Sequence, residues 1–168
     1  MRIAIFGNAG SGKSTLSRKL AAQFDMPLVE VDQLLWRPGW QMVPEAEYDI
    51  AHEAAMAEEA WIMDGMGYSA SLGVRMKRAT HVILCDFPIW QNYWLLAERQ
   101  STMAQGNFEG APAGVAERPD TRALFEFTWH IHENLMPKIR AQVAELGAET
   151  RVTVIPDFDA LTQFELPV

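Results

Sequence analysis

Eight residues near the start, Gly7-Asn8-Ala9-Gly10-Ser11-Gly12-Lys13-Ser14, constrain this chain more than any other feature. They fix two glycines, a lysine and a serine at the spacing of a phosphate-binding loop, between a strand-like run and a helical one. The run Ile3-Ala4-Ile5-Phe6 reads as a buried strand, and Leu16, Leu20 and Phe24 share one face of a helix over 13–24. Chance yields such a match in a chain this long roughly one time in a hundred or less. The glycines let backbone N–H groups turn inward around phosphate oxygens, and the helix N-terminus adds partial positive charge. Gly7, Ala9, Gly10, Ser11, Gly12 and Thr15 are therefore expected to cradle the phosphates of ATP. Lys13 is expected to reach the β- and γ-phosphates, and Ser14 to place its hydroxyl on Mg2+.

The rest of the chain repeats the same alternation. Strand-like runs at 2–6, 27–31, 61–63, 81–86 and 151–155 are separated by helical patterns, the signature of βαβ units in a parallel α/β sheet. The length of 168 residues suits one domain, 1–168. Residues 33–43, with Trp36, Pro38, Gly39 and Trp40, read as a loop. Helices are expected from Pro44 to about 59, over 69–78 and from Pro88 onward. Trp90, Trp94 and Leu95 mark the face of that last helix expected to enter the core. Periodicity fails over about 100–120, where Gly106, Gly110, Pro112, Gly114 and Pro119 recur, so a lid is expected at about 100–121. A long helix then runs to about 146, with a kink at Pro137.

Composition narrows the partners. Fourteen basic against 22 acidic residues give a formal charge of −8, and the basic residues are scattered, which argues against direct nucleic-acid binding. Cys85 is the single cysteine and lies in an apolar run, so it reads as a core residue. No run approaches the roughly 20 apolar residues of a membrane span, and no targeting signal precedes the first strand. The expectation is a cytoplasmic monomer or homodimer.

Three acidic residues, Asp32, Asp64 and Asp86, stand at the carboxyl ends of expected strands, Asp86 as the last residue of its run and the other two directly after theirs. Ligands of open parallel sheets collect beyond the carboxyl ends of the strands, so all three are expected to face one crevice. Asp64 or Asp86 would hold magnesium with Ser14, and Asp32 would orient or deprotonate an acceptor hydroxyl. Phosphoryl transfer also needs cations around the migrating charge. Arg99, Arg118 and Arg122 lie at the two ends of the expected lid. Arg37, Arg75 and Arg78, with Trp36, are expected on the side of a small, anionic acceptor. His130 and His132 are two apart on a helix and do not form the i,i+4 metal pair.

The order GNAGSGKST, VEVDQLLWRPGW, WIMDGMGY and VILCDFP resembles the adenylate-kinase-like P-loop proteins described as DNA topology modulation proteins of the FlaR type. The resemblance implies a P-loop NTPase three-layer sandwich of the nucleoside-monophosphate-kinase kind, with a five-stranded parallel sheet and a lid. It implies an ATP- and Mg2+-dependent kinase acting on a small acceptor, or alternatively a nucleotide-switched ATPase associated with DNA topology. Asp64-Gly65 matches the start of an Asp-Gly-Phe-Pro-Arg motif whose Asp lies near magnesium. Arg99 matches the last arginine before the lid and Arg118 one returning from it. Tyr68 stands where that motif carries the arginine that grips the acceptor phosphate, which argues against AMP as acceptor.

Overall fold

The computed structural model describes residues 1–106 and 119–166. Five parallel strands form its centre: β1 (Arg2–Gly7), β2 (Leu28–Glu30), β5 (Trp61–Asp64), β6 (His81–Cys85) and β7 (Arg151–Ile155), in the order β2-β5-β1-β6-β7. Side chains alternate across a strand, so β1 sends Ile3 and Ile5 to one face and Ala4 and Phe6 to the other. The first pair packs with Leu16 and Leu20 of α1 (Lys13–Phe24) and Leu161 of α8 (Phe158–Gln163). The second packs with Leu72 and Met76 of α4 (Ser69–Arg78) and Ile139 and Val143 of α7 (Met136–Ala144). The result is the expected three-layer α/β sandwich. No described helix is long and apolar enough to cross a membrane.

Several local expectations change. Residues 33–43 are not a loop. A short helix α2 (Val31–Leu35) is followed by a hairpin of β3 (Trp36–Arg37) and β4 (Gln41–Met42), leading into α3 (Glu45–Met56). The chain turns at Pro38-Gly39-Trp40, where Gly39 and Trp40 both take positive φ, and Trp40 sets its ring edge-on to Trp36 at 5.8 Å. Because helix begins at Val31, Asp32 lies in the first turn of α2 rather than at a strand end.

Helix α5 (Ile89–Ala104) buries a different face from the expected one, and of the three residues expected inward only Leu95 packs partly against the core. Its buried residues are Asn92, Leu96, Gln100 and Met103, whereas Trp90 and Trp94 are exposed. Both faces repeat with helical period, and two polar residues disguise the buried one. The helix also continues past Gln100 to Ala104, into the stretch expected to form the lid. Most of that lid lies outside the described residues. At its edges the Thr121 hydroxyl donates to Gln100 Oε1 at 3.2 Å, joining α5 to α6 (Thr121–Asn134). Pro137 lacks an N–H, and it ends the continuity expected of the last long helix: α6 stops before Leu135 and α7 begins at Met136.

Candidate functional site

The loop between β1 and α1 sits at the carboxyl end of the sheet, with Gly7 opposite Cys85 of β6. Its shape depends on close approaches. Gly10 has φ +73, and a Cβ there would run into the Asn92 carbonyl and Leu96 of α5, so the buried polar face of α5 backs the loop. Asn8, almost fully buried, orients two neighbours: its Oδ1 accepts from the Ala9 N–H at 2.8 Å, and its amide donates to the Thr128 carbonyl of α6 at 2.9 Å. Lys13 Nζ lies 3.3 Å from the Asn8 carbonyl, folded back along the loop. Beside the loop opens a cavity of about 510 Å³, lined by Gly12, Lys13 and Ser14 and walled by Leu95, Arg99, Phe158 and Leu161. Its volume falls within the range of small-molecule sites. Phe158 is held in place because Asp157 caps α8, accepting from the Ala160 N–H at 2.7 Å.

Asp64 ends β5 opposite Ile5, two residues short of the first loop glycine, so its carboxylate lies under the phosphate loop. It is buried at 3% exposure; Oδ2 is 3.0 Å from the Ser17 hydroxyl, while Oδ1 has no protein partner. The same Ser17 hydroxyl lies 3.0 Å from the Ser14 carbonyl and ties Asp64 to the first turn of α1. Sequence reasoning missed Ser17, and its only signal is a small polar residue adjoining the apolar face of α1.

Asp32 reaches the same crevice from α2. Its Oδ1 would sit 3.4 Å from a Cβ on Gly65, whose φ of +120 and missing side chain let α2 approach the turn after β5. Asp32 is exposed to solvent, yet the protein around it partly desolvates its carboxyl. That desolvation raises its pKa above the ordinary carboxylate value; Lys13 opposes the rise, Asp64 adds to it and Arg99 opposes it. Arg99 thus lines the cavity and also acts on Asp32. Lys13, Asp32, Asp64 and Arg99 are brought together.

Other expected residues are held elsewhere. Asp86 is paired: both its oxygens accept from Arg140 of α7 at 2.8 Å. Arg37 pairs with Glu47 at 2.6 Å on the surface, and Arg122 with Glu126 one turn on. Trp36 packs partly into the core, and its backbone N–H donates to the Asp32 carbonyl at the end of α2. Tyr68 is also partly buried, donating its hydroxyl to the Val43 carbonyl at 2.7 Å. Arg118 lies outside the described residues.

Arg75 is the largest correction. Expected from the sequence on the side of an anionic acceptor, it is fully buried. One guanidinium nitrogen donates to the Gly65 and Met66 carbonyls at 2.6 and 3.1 Å, and the group lies 4.6 Å from the centre of the Phe6 ring. Burial pushes its pKa down to about 10, an effect offset in part by Tyr48, Asp64 and Asp32, so it stays charged at neutral pH. Its role in the structure is to hold the turn that carries Asp64.

No protein-family model matches the sequence, and no curated protein matches it. Solved structures do match. Shikimate kinase from Bacteroides thetaiotaomicron aligns with a TM-score of 0.60 at 13% identity, over 93% of this chain and 86% of that one. Shikimate kinase from Acinetobacter baumannii, in complex with shikimate, gives 0.57 at 15%, over 95% and 86%. Deoxyadenosine kinase from M. mycoides with bound dATP gives 0.51 at 14%, over 93% and 91%. At these identities the likeness is one of fold: the chain shares with these kinases a five-stranded parallel sheet flanked by helices, with a phosphate loop after its first strand.

Proposed function

We propose that the chain is an ATP-dependent phosphotransferase acting on a small acceptor. The observation that carries this reading is the convergence of Lys13, Arg99, Asp64 and Asp32 beside the phosphate loop and its cavity. The fold shared with small-molecule kinases supports it.

ATP would place its phosphates in the loop and its base between Leu95 and Phe158. The acceptor oxygen bonds to the γ-phosphorus as the bond to the β,γ-bridging oxygen breaks, and ADP leaves with that electron pair. Asp32 takes the hydroxyl proton, and its raised pKa suits that task. Lys13 and Arg99 balance the charge that spreads over the transferring group.

Mg2+ fits the residues present. Among the described residues no three His, Cys, Asp or Glu converge as a metal cluster, and magnesium at such sites keeps waters and phosphate oxygens as its main ligands. Ser14 and the unpartnered Oδ1 of Asp64 would hold it, directly or through water. When bound, it would neutralise phosphate charge. Asp86, paired with Arg140, is left out of this role.

The test is ADP formation from ATP and Mg2+ with a panel of nucleosides, nucleotides, sugars and polyols, compared with a Lys13→Ala variant. Acceptor-dependent ADP formation in the native chain alone supports the reading. Equal rates in both proteins with every acceptor would sink it. No feature among the described residues favours the DNA-associated alternative.

A further inference from the structure

The side chain of Asn8 fastens the phosphate loop to a helix 120 residues further along the chain. Asn8 is 2% exposed, and its amide donates at 2.9 Å to the carbonyl of Thr128 of α6, itself fully buried. Asn8 Oδ1 accepts from the Ala9 N–H at 2.8 Å. The Asn8 backbone carbonyl accepts from the Ser11 N–H and from Lys13 Nζ, each at 3.3 Å. Side chain and peptide of Asn8 are therefore fixed together. The lysine that is to reach the β- and γ-phosphates starts from a carbonyl whose place α6 helps to set.

The same helix braces the second cation. Arg99 stands on α5 next to Gln100, whose Oε1 accepts from the Thr121 hydroxyl of α6 at 3.2 Å. Nearer the start of α5, the Tyr93 ring stacks on Phe125 of α6, with centroids 4.9 Å and planes 4° apart. The Tyr93 hydroxyl donates to the Phe125 carbonyl at 3.4 Å, and Thr128 lies one turn beyond Phe125. Helix α5 in turn meets the loop at Gly10, where the Asn92 carbonyl leaves no room for a Cβ. Loop, α6 and α5 close a ring of contacts, and Lys13 and Arg99, on two of its members, both line the nucleotide cavity. Buried hydrogen bonds and close packing make such a ring shift between discrete arrangements rather than yield piecemeal.

We infer that Asn8 is a positioning residue: by tying the phosphate loop to α6, and through α6 to α5, it sets Lys13 and Arg99 at the spacing that a triphosphate requires. The inference rests on the phosphotransferase reading, because ATP must occupy the loop. Asn8 makes and breaks no bond in the transfer. Its effect reaches the phosphates through the two cations, so removing it should weaken the contribution of Arg99 as well as that of the loop.

The experiment measures the affinity for ATP with Mg2+ by calorimetry in a double-mutant cycle of the native chain, Arg99→Ala, Asn8→Leu and the two together. Leucine matches asparagine in shape and removes both side-chain hydrogen bonds; Asn8→Ala repeats the cycle with a smaller side chain. Arg99→Ala is expected to weaken binding at least tenfold in the native background and less than threefold beside Asn8→Leu. Equal losses in the two backgrounds overturn the inference while leaving the phosphotransferase reading intact. A side chain that only supported the fold would lower the unfolding midpoint and leave the contribution of Arg99 unchanged. Amide exchange of the native chain needs no variant: ATP is expected to slow exchange over 124–131 of α6 at least threefold, and an α6 indifferent to bound ATP overturns the inference. A native chain that binds no ATP overturns the phosphotransferase reading, and this inference with it.

Discussion

Ser17 binds Asp64 to the phosphate-loop helix: its hydroxyl is 3.0 Å from Asp64 Oδ2 and 3.0 Å from the Ser14 carbonyl. Both side chains are buried, so one hydroxyl fixes where the end of β5 stands against the start of α1. Ser17→Ala would leave Asp64 without its protein partner, which costs about 1–3 kcal/mol. Denaturant unfolding should show that loss. Titration with ATP, with and without Mg2+, should show a smaller gain from the metal than in the native chain. An unchanged gain would remove Asp64 from the metal's surroundings.

Gly10 is where α5 meets the loop. Alanine there must adopt φ near +73 and push its Cβ into the Asn92 carbonyl and Leu96. Strain of this kind costs on the order of 1–3 kcal/mol. Gly10→Ala should therefore weaken ATP binding at least tenfold, measured by calorimetry, and lower the unfolding midpoint as α5 is forced outward. Binding at native affinity would show that the loop does not need this approach.

His52 gives a pH signature independent of the site. It is buried, stacked on Tyr48 at 5.2 Å, and its pKa is lowered to about 4 by burial, with Arg75 and Arg78 adding to the effect. Between pH 6.5 and 4 the unfolded chain binds a proton there that the folded chain refuses. Stability must then fall as pH drops through that window, by up to roughly 3 kcal/mol from this residue. In His52→Gln the fall between these pH values should be smaller by about that amount. Identical slopes for the two proteins would contradict the assignment.

Trp90→Ala should change stability by no more than about 0.5 kcal/mol, because the side chain is 62% exposed. A loss of 3 kcal/mol or more would mean that α5 buries its tryptophan face after all.

That tryptophan face shows where the sequence could be read and where it could not. The phosphate loop is a local feature, with motif, strand and helix all contained in residues 2–24, and the parallel alternation repeats visibly along the chain. Asp64 was legible because β5 ends on it. Asp86 follows a strand in the same way, but its partner Arg140 is 54 residues distant and no spacing announces the pair. The buried face of α5 contains Asn92 and Gln100, so hydrophobic periodicity turned the two tryptophans inward, and of the expected face only Leu95 packs against the core. Arg75 failed for a related reason. A charged side chain reads as exposed until the carbonyls of Gly65 and Met66 and the ring of Phe6 are seen around it.

The central claim is that Asp32 receives the proton of an acceptor held next to ATP in the phosphate loop. Phosphorus NMR of native and Asp32→Asn protein, given ATP, Mg2+ and an acceptor that the native chain uses, tests it directly. The account predicts a new phosphomonoester signal with native protein, at least a hundredfold slower in Asp32→Asn, with ATP affinity unchanged between the two. A phosphomonoester formed equally fast by Asp32→Asn would contradict it, as would inorganic phosphate as the sole product of the native chain.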